Sequence, residues 1–412
     1  MVTGMGAVSP NGVGRDAFWR ACAGGVSGTG ALSIFEPDGL PCRVAAEVTY
    51  FDVQAHLPEK TRRYGLRVMA MALAAATEAL EQAGIDSGAL EDEARRRFGV
   101  VVGTGAGGIA FGEEQYEAWF RDGYRKVSPY GIVATFVGML SSEISMAFEL
   151  RGMSHVLSTG CTSSSDAVGY AVQAIRAGWV DRVLTGGAEA CITPGILAAF
   201  CRMGTVTTRN GDAARASRPF NADRDGFVLG EGAWMLVLES EAAARERGAE
   251  PLAEIAGYGS TCDAYHRVRP EPAGEDAARA IRAALDDAGV APEAVGYVNL
   301  HGTATELNDR IESRAIRLAF GDHAERLPTS ALKSMIGHPQ GACGAAGLVE
   351  TVAAMRAGWL PPTINYDTPD PACDLDYVPN EGRAADIEAA VVNCIAFGSK
   401  NSALVVRRTR RA

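Results

Sequence analysis

The sequence predicts a layered α/β fold, in which helices pack on sheets that are buried on both faces. Short apolar runs bounded by glycine alternate with amphipathic helical stretches along most of the 412 residues. Continuous apolar runs of this kind are typical of strands that are covered on both sides. Glycine is also frequent, at 48 residues, and many helical stretches are rich in alanine and glycine, which allows helices and sheets to pack closely.

The individual elements follow from these patterns in chain order. A helical stripe of apolar residues begins at Leu66 and stops before Gly84, and a second occupies residues 275–288 before Gly289, because glycine often ends a helix. The predicted strands lie at residues 98–103, 182–186, 233–238, 295–300 and 389–393. Residues 106–130 and 205–224 show neither pattern and are predicted to be irregular.

Composition and charge exclude several classes of protein. The 39 basic residues are outnumbered by 50 acidic ones, which gives a net charge of −11, whereas nucleic-acid-binding proteins usually carry the opposite sign. The nine cysteines form no CxxC pair, so neither a secreted disulfide framework nor a zinc ribbon is indicated. The longest charge-free stretch, residues 127–142, is shorter than the ~20 residues that cross a bilayer. We therefore expect a soluble, cytoplasmic protein with no nucleic-acid or membrane partner.

One glycine-rich motif has the form of a dinucleotide-binding turn. Gly103, Gly105 and Gly108 follow a predicted strand with the spacing G-x-G-x-x-G. The acidic residue that should follow about 20 residues later would be Asp122, which lies in a polar turn rather than at a strand end. We therefore interpret these glycines as a turn that allows close packing.

A candidate nucleophile stands at a predicted strand–helix junction. Cys161 follows Gly160, which would permit a sharp turn, and a helical run begins directly after the cysteine. The N–H groups and the dipole at a helix start stabilise a thiolate. A buried structural cysteine is the alternative interpretation of this segment taken alone.

Two later motifs carry further polar groups in small-residue, apolar surroundings. His301 is placed at the end of a predicted strand, where α/β sites gather, and Thr303 and Thr305 follow it. Lys333 and His338 lie five residues apart across a glycine. A lysine in such a setting is costly unless it has a role or a partner. Each histidine by itself could equally be a structural residue.

Together these motifs resemble the condensing β-ketoacyl-acyl-carrier-protein synthases. Cys161 stands in TGCTSSSDA, His301 in HGTATELNDRIE, and Lys333 and His338 in KSMIGHPQGACGAAG. Further landmarks of that family match VTGMGAVSPNG, ASRPFNADRDGFVLGEGAWMLVLE, DAYH and AFGSKN, so the resemblance covers essentially the whole chain. The related thiolases use a second catalytic cysteine, whereas both later positions are histidine here, which favours decarboxylating condensation.

The resemblance implies a thiolase-like fold, a five-layered αβαβα sandwich made of two similar halves. Residues 1–250 would form the half that carries the nucleophile, and residues 251–412 the half that carries the histidine pair and the lysine. The segment after Gly108 would be an insertion that acts as a lid and a dimer contact. The strand count by itself is compatible with two α/β halves dividing near Pro251.

The resemblance also assigns roles in a decarboxylative Claisen condensation. Cys161 would take the acyl chain from a thioester, with the backbone N–H groups of Cys161 and Phe397 as the oxyanion hole. His301 and His338 would donate to the thioester oxygen of malonyl-acyl-carrier protein as it loses CO2. Lys333 would supply a fixed positive charge beside them.

Other residues receive supporting roles from the same resemblance. Thr303 and Thr305 would hold the amides of phosphopantetheine, which arrives on the acyl carrier protein; the chain itself needs no cofactor apart from a structural monovalent cation that some members carry. The family's buried polar centre corresponds to Asn299, Glu350, Asn393, Asp309 and Glu312. An acidic carrier would dock on a local basic patch of this acidic chain, at Arg62, Arg63 and Arg209.

Several residues differ from the usual family sequence, and the composition helps to choose between the polyketide and fatty-acid branches of the family. Ala396 and Ser399 replace glycines around Phe397, the gating ring, and Pro339 and Gln340 follow His338 where an apolar or Ser-Leu pair is usual. Arginine outnumbers lysine by 35 to 4, which is typical of GC-rich genomes. We favour the catalytic ketosynthase of a type II polyketide pathway, polyene pathways included, over fatty-acid elongation. The dimer mate would be a second copy or a cysteine-less chain-length-factor paralogue. A silent partner subunit is disfavoured because Cys161 is present.

Overall fold

Two large sheets, two small two-stranded sheets and the helices around them make up the computed structural model, which describes residues 1–59, 61–62 and 65–409. The strands are β1 (Val2–Ser9), β2 (Gly12–Val13), β3 (Gly30–Ala31), β4 (Val44–Ala45), β5 (Phe98–Gly103), β6 (Ser154–Leu157), β7 (Arg182–Glu189), β8 (Gly232–Glu239), β9 (Glu254–Cys262), β10 (Tyr297–Asn299), β11 (Thr329–Ser330), β12 (Trp359–Leu360), β13 (Arg383–Ala384), β14 (Ala389–Ala396) and β15 (Lys400–Arg407). The helices are α1 (Arg15–Ala23), α2 (Arg67–Ala83), α3 (Asp92–Arg96), α4 (Ile109–Asp122), α5 (Gly131–Thr135), α6 (Met139–Ala147), α7 (Ser163–Arg176), α8 (Pro194–Met203), α9 (Glu241–Glu246), α10 (Glu275–Ala288), α11 (Glu306–Phe320), α12 (Lys333–Ile336) and α13 (Cys343–Ala357).

The two large sheets are both of mixed direction. The first has the strand order β2-β1-β8-β7-β5-β6, and the second has the order β11-β10-β14-β15-β9. Strand β5 runs parallel to β6 and β7, and β10 runs parallel to β11 and β14, while the remaining pairs are antiparallel. The small sheets pair β3 with β4 and β12 with β13. Every residue of β1, β5, β8 and β14 is buried, because these strands are mostly apolar and covered on both faces.

Helices cover the outer faces of both sheets and fill the space between them. Helix α2 packs on β1 and β8 outside the first sheet, and α10, backed by α11, packs on β9 and β15 outside the second. Helices α7 and α13 lie between the sheets, where they contact strands of both. These contacts give five layers in the order αβαβα, so the sandwich predicted from the resemblance is confirmed.

Small residues set the spacing between layers. A Cβ atom on Gly4 or Gly6 of β1 would lie 2.0 Å from a carbonyl oxygen of Ala79 or Ala75 in α2. The glycine motif after β5 acts in the same way, since a Cβ on Gly103 would lie 2.3 Å from the backbone of Ser163. These contacts confirm that the G-x-G-x-x-G motif serves close packing.

Most predicted elements are present, and one prediction is wrong. Helices α2 and α10 end at Gly84 and Gly289, both with positive φ, as their sequences indicate. Residues 106–130, predicted to be irregular, contain helix α4. Only Phe111 and Gly112 of this helix are buried, so it lacks the apolar stripe that normally reveals a helix. No helix within the described ranges is both long enough and apolar enough to span a membrane.

Candidate active site

Cys161 lies in the tight connection between the first sheet and a central helix. Strand β6 leads to Gly160, whose φ of +73° permits the sharp turn, and Cys161 follows in a short 3-10 turn before α7 begins at Ser163. A Cβ on Gly160 would lie 3.3 Å from the carbonyl oxygen of Phe397. The glycine therefore lets the cysteine backbone approach the turn that carries Phe397.

The four predicted catalytic residues converge in one buried cluster. The Sγ atom of Cys161 lies 3.1 Å from Nε2 of His338, and the rings of His338 and His301 meet edge to face at 5.3 Å between centroids. Nζ of Lys333 lies 3.3 Å from Nδ1 of His301 and donates to the His301 carbonyl oxygen at 2.5 Å. All four side chains are buried. Residues from three distant motifs thus share a single site.

Burial favours the uncharged forms of Cys161, His301 and His338, so Lys333 is the charged member of the resting cluster. Burial raises the pKa of the Cys161 thiol to about 12, although the Lys333 charge and a hydrogen bond from the Phe397 backbone N–H act in the opposite direction. Desolvation therefore outweighs the charge and the hydrogen bond that favour the thiolate. Burial, and after it the charge of Lys333, also lower the pKa of both His301 and His338 well below the usual value.

The two histidines differ in what holds their rings. The ammonium of Lys333 faces Nδ1 of His301, so this nitrogen accepts and the proton of the neutral ring is on Nε2. Nδ1 of His338 has no hydrogen-bond partner among the described residues. The tautomer of His338 is therefore free to change, and its Nε2 can accept a proton at one stage and donate one at another.

Phe397 sits in the turn between the last two strands of the second sheet. Ala396 of β14 pairs with Lys400 of β15, which leaves Phe397, Gly398 and Ser399 as a three-residue connection. The backbone N–H of Phe397 lies beside the Cys161 thiol and favours its thiolate form. The methyl group of Ala396 packs in the same small cluster as the Cys161 side chain.

Buried carboxylates brace the loop that carries His301. Glu312 accepts hydrogen bonds from the backbone N–H groups of His301 and Gly302 at 2.6 and 2.7 Å and from Asn393 Nδ2 at 2.7 Å. Asp309, one turn earlier on α11, accepts from the Phe220 N–H at 2.8 Å. Because these bonds fix the backbone after β10, they fix the direction of the His301 ring.

The remaining members of the predicted polar centre form a second group. Asn299 donates to Glu350 of α13, whose other carboxylate oxygen has no partner among the described residues. Burial raises the pKa of Glu350 to about 8. The five predicted residues therefore do not form one ring of contacts: Asn393 joins Glu312, and Asn299 joins Glu350.

A cavity of about 360 Å³ leads from the surface to the cluster. Cys161, His301 and His338 lie along it, together with Thr303, Thr305 and Phe397. The hydroxyl groups of Thr303 and Thr305 lie 2.9 Å apart. The cavity thus presents hydroxyl groups along the path to a buried thiol.

Comparison with known families identifies the chain. The family model described as "Beta-ketoacyl synthase, N-terminal domain" matches residues 1–244, and the one described as "Beta-ketoacyl synthase, C-terminal domain" matches residues 252–367. The chain belongs to the β-ketoacyl synthase family. It is accordingly a condensing acyltransferase, as the resemblance predicted.

Relatives of this synthase come from more than one pathway. It is 39% identical to the 3-oxoacyl-[acyl-carrier-protein] synthase 2 of Coxiella burnetii, over 99% of this chain and 98% of that one. It is 40% identical to a Streptomyces halstedii protein whose name assigns it to the polyketide beta-ketoacyl synthases, over 100% and 98% of the two chains. Among solved structures, "The ishigamide ketosynthase/chain length factor" superposes with a TM-score of 0.92 at 35% identity, covering 99% of this chain and 98% of that one.

A type II polyketide synthase complex is a further structural neighbour. It is described as an acyl-carrier protein "in complex with its ketosynthase bound to the hexaketide", and it superposes with a TM-score of 0.90 at 33% identity over 99% and 98% of the two chains.

Sequence reasoning missed Glu189, which fastens the backbone around the synthase site. This buried carboxylate at the end of β7 accepts from the N–H groups of Gly105 at 2.6 Å, Ala106 at 3.0 Å and Gly341 at 3.0 Å. It thereby ties the glycine turn after β5 to the segment that follows His338. An acidic residue closing an otherwise apolar strand was the signal that could have revealed it.

Gln340 was noted in the sequence as unusual, and it lies beside the nucleophile. Its Oε1 atom is 3.8 Å from Sγ of Cys161, and its Nε2 atom is buried without a partner in the described part of the chain. Its φ of +37° is rare for a residue with a side chain. The structure therefore adds a carboxamide to the surroundings of the thiol.

The predicted docking arginines are less free than the sequence suggested. Arg209 pairs with Asp223 at 2.8 Å and Arg62 donates to the Leu57 carbonyl oxygen, while Arg63 lies outside the described residues. Neither Arg62 nor Arg209 lines the cavity. Three other exposed arginines stand closer to its mouth, and none of them pairs with a carboxylate among the described residues: Arg269, which lines the cavity, and Arg202 and Arg267, which adjoin lining residues.

Two sets of three donor groups in the site have metal-ligand chemistry. One is Cys161, His301 and His338, and the other is His301, Cys343 and Cys394; the atoms of each set lie within 4.8 Å of one another. Lys333 holds its ammonium against His301, which both sets share. This fixed positive charge disfavours a cation in either set.

Proposed function

We propose that Cys161, His301, His338 and Lys333 carry out a decarboxylative Claisen condensation between an acyl chain and malonyl-acyl-carrier protein. The observation that carries this proposal is the contact of 3.1 Å between Sγ of Cys161 and Nε2 of His338 at the inner end of the cavity. In the first half-reaction Cys161 attacks the acyl thioester. Its proton passes to His338 Nε2 and then to the departing pantetheine sulfur, which frees the thiol of the carrier.

The negative charge of that step develops on the thioester oxygen. The backbone N–H of Phe397 is already directed at Cys161, and the N–H of Cys161 itself is the second donor proposed for the oxyanion hole. Such preorganised donors act strongly in a buried site because water does not screen them.

In the second half-reaction malonyl thioester loses CO2, and the enolate carbon attacks the acyl carbon on Cys161. The bond between the acyl carbon and Sγ then breaks, the β-ketoacyl chain stays on the carrier, and the Cys161 thiolate takes up a proton from solvent. The enolate charge lies on the malonyl thioester oxygen, and Nε2–H of His301 is oriented to donate to it because Lys333 occupies Nδ1. His338 supplies the second donor after its tautomer has changed. The ammonium of Lys333 further stabilises anionic charge in this low-dielectric site.

Substrates reach this site on the phosphopantetheine arm of an acyl carrier protein. Thr303 and Thr305 are proposed to bind the amides of the arm, since both line the cavity and both carry hydroxyl groups. A neighbour of similar structure is described as a ketosynthase in complex with its acyl-carrier protein, which supports the same partner here.

The pathway we propose is type II polyketide synthesis, in which the synthase elongates one chain repeatedly; polyene pathways are included. Support comes from the likeness to the ishigamide and hexaketide-bound ketosynthases and to the Streptomyces halstedii protein. Fatty-acid elongation is the second candidate, supported by 39% identity to the Coxiella burnetii synthase. A non-catalytic chain-length subunit would lack the intact nucleophile. The test is product analysis with malonyl-acyl-carrier protein as extender: chains from several unreduced extensions support the polyketide pathway, and single extensions support the alternative.

The proposed dimer mate is a second copy or a cysteine-less chain-length-factor paralogue. Among the described residues, strand β6 pairs only with β5 and stands at the edge of the first sheet, and such an edge can accept another strand. Helix α4 exposes Tyr116, Trp119 and Phe120. Apolar area of this kind favours a protein partner. Two solved neighbours are described as ketosynthases with a chain length factor.

We also propose that residues 1–250 and 251–412 are the two similar halves of the sandwich. In support, all strands of the six-stranded sheet lie between Val2 and Glu239, and all strands of the five-stranded sheet lie between Glu254 and Arg407.

Carrier docking should depend on the arginines at the cavity mouth. Reversal of charge in Arg202→Glu combined with Arg269→Glu should raise KM for an acyl-carrier substrate by about tenfold or more, because the acidic carrier then meets repulsion. The effect should shrink as salt increases. KM for a short pantetheine thioester, which has no carrier to dock, should stay within about twofold; steady-state kinetics with both substrates at several salt concentrations measures this.

The matched control is Arg326→Glu combined with Arg356→Glu, which makes the same change in net charge at exposed positions outside the cavity lining. Equal rises in KM for both double variants would contradict a local docking surface. Arg62, Arg63 and Arg209 stay part of the proposed patch and can be tested by the same measurement.

A structural monovalent cation beside Glu350 is a further proposal. The buried carboxylate oxygen of Glu350 and the buried Oδ1 of Asn393 both lack partners among the described residues, and oxygen atoms suit such an ion. The pKa of Glu350, about 8, means that the folded protein keeps a proton which the unfolded chain loses near pH 4.5, so stability falls as pH rises from 4.5 to 8.

A bound cation should offset that loss. We expect Tm at pH 8.5 to be several degrees higher in potassium chloride than in tetramethylammonium chloride, whose cation is too large to enter. The difference should vanish at pH 5, where Glu350 is protonated, and in Glu350→Gln. Thermal unfolding by circular dichroism measures it, and a potassium effect that persists in Glu350→Gln would exclude this site.

A further inference from the structure

Ser399 adopts a backbone conformation that a glycine would adopt more easily. Its φ is +62°, in the left-handed region, and the preceding Gly398 has a φ of +87°. Any residue with a Cβ is strained there, so a serine at this position needs a compensating interaction. The side chain is buried, which directs attention to its hydroxyl group.

The hydroxyl group of Ser399 makes three hydrogen bonds to one other loop. It accepts from the backbone N–H groups of His266 at 3.1 Å and Tyr265 at 3.3 Å, and it donates to the carbonyl oxygen of His266 at 2.8 Å. The carbonyl oxygen of Ser399 also accepts from the N–H of Asp263 at 2.8 Å. A glycine could make only the last of these bonds.

The two segments joined in this way both border the active site. On one side, Gly398 donates to the Arg267 carbonyl oxygen at 2.9 Å, and Val268 and Arg269 line the cavity. On the other side, Phe397, two residues before Ser399, lines the cavity together with Cys161, and a Cβ on Gly160 would lie 3.3 Å from its carbonyl oxygen, so the Phe397 N–H belongs to a turn that packs against the residue before the thiol. The turn that presents this N–H is therefore held by Ser399 against the rim of the cavity.

We propose that Ser399 is a positioning residue for the oxyanion hole. Its hydroxyl group fixes the turn between β14 and β15, so that the Phe397 N–H is directed at the thioester oxygen of the acyl group on Cys161. This inference rests on the proposed function, which assigns the oxyanion hole to that N–H. The three hydrogen bonds of the Ser399 side chain offset the backbone strain at this residue.

The proposal predicts different effects of Ser399 on the two half-reactions. Acyl transfer to Cys161 uses the Phe397 N–H, whereas loss of CO2 from malonyl thioester uses the donors on His301 and His338. Loss of the Ser399 hydroxyl group should therefore slow acyl transfer and spare decarboxylation. A residue that only supported the fold would affect both.

The experiment compares Ser399→Gly and Ser399→Ala with the full-length wild-type protein. The glycine variant loses the hydroxyl group and is free of the backbone strain. The alanine variant loses the hydroxyl group but retains the strain. Mass spectrometry should show that a short acyl pantetheine thioester acylates Cys161 about tenfold more slowly in both variants. This loss is smaller than the decrease in kcat of about 10²–10³-fold that follows complete removal of an oxyanion-hole donor. Ser399→Ala should also have the lower Tm of the two.

The rate of malonyl decarboxylation is measured in Cys161→Gln and in the double variant Cys161→Gln, Ser399→Gly. These two rates should agree within about threefold. Ser402→Ala is the matched control, because Ser402 lies close by on β15 with a buried hydroxyl group that has no partner in the described part of the chain. It should acylate at the wild-type rate.

Three results would overturn the inference. Acylation of Ser399→Gly at the wild-type rate would show that the hydroxyl group positions nothing. Equal losses in acylation and decarboxylation would reduce Ser399 to support of the fold. A wild-type protein that is not acylated on Cys161 would overturn the proposed function itself, and this inference with it.

Discussion

Cys161→Ala should abolish acyl transfer, with a loss of at least about 10³-fold, while the protein still folds. Alanine occupies nearly the same space at a site where only 5% of the residue is exposed, so little packing is lost. Without Sγ there is no atom to accept the acyl chain. Intact-protein mass spectrometry after incubation with an acyl thioester measures the adduct, and Tm reports the fold.

Cys161→Gln provides the companion measurement. Its carboxamide imitates the acylated cysteine, so malonyl decarboxylation should persist at the wild-type rate or rise even though no acyl chain is accepted. An acyl adduct on another residue of the wild-type protein, for example on the buried neighbour Cys343, would contradict the assignment of the nucleophile.

His301→Ala should lower malonyl decarboxylation by about 10²-fold and acylation of Cys161 by much less. The magnitude is that of one lost donor to an oxyanion in a buried site. Unlike His338, His301 has no hydrogen bond to Sγ in the described part of the chain, and Lys333 at its Nδ1 leaves Nε2 as the donor that we propose for the enolate oxygen. Release of CO2 from malonyl-acyl-carrier protein and the rate of self-acylation are the two measurements.

His338→Ala should differ from His301→Ala by losing both half-reactions. Its Nε2 is the nearest base to a thiol whose pKa is about 12, so acylation needs it to take the proton. If His338→Ala acylated at the wild-type rate, a different base would have to act on Cys161. If His301→Ala failed equally in both assays, the division of labour between the histidines would be wrong.

The four residues that we propose as catalytic could be singled out in the sequence because each is embedded in a long local motif. Cys161, His301, Lys333 and His338 are surrounded by residues that fix their local backbone, and the layered fold that joins them follows from buried strands with a clear apolar pattern. The ionisation of Cys161 was not predictable in this way. The start of α7 is visible in the sequence, but the extent of burial around the thiol depends on residues from both sheets.

Two other features show where sequence reasoning stops. Helix α4 exposes most of its surface, so its residues follow no stripe facing a core, and an aromatic, charged segment was mistaken for irregular structure. Glu189 acts through the backbone N–H groups of Gly105, Ala106 and Gly341, which belong to two segments far apart in the sequence. An acidic residue at the end of a buried strand indicates that it has a partner, but which backbone groups it binds becomes visible only when the segments are assembled.

The neutral resting state of Cys161 has a consequence for the survival of the enzyme between turnovers. Peroxides and alkylating reagents attack the thiolate form of cysteine and leave the protonated form largely alone. Because burial raises the pKa of the Cys161 thiol and lowers the pKa of the neighbouring His338, we expect Cys161 to react slowly with such reagents while no substrate is bound.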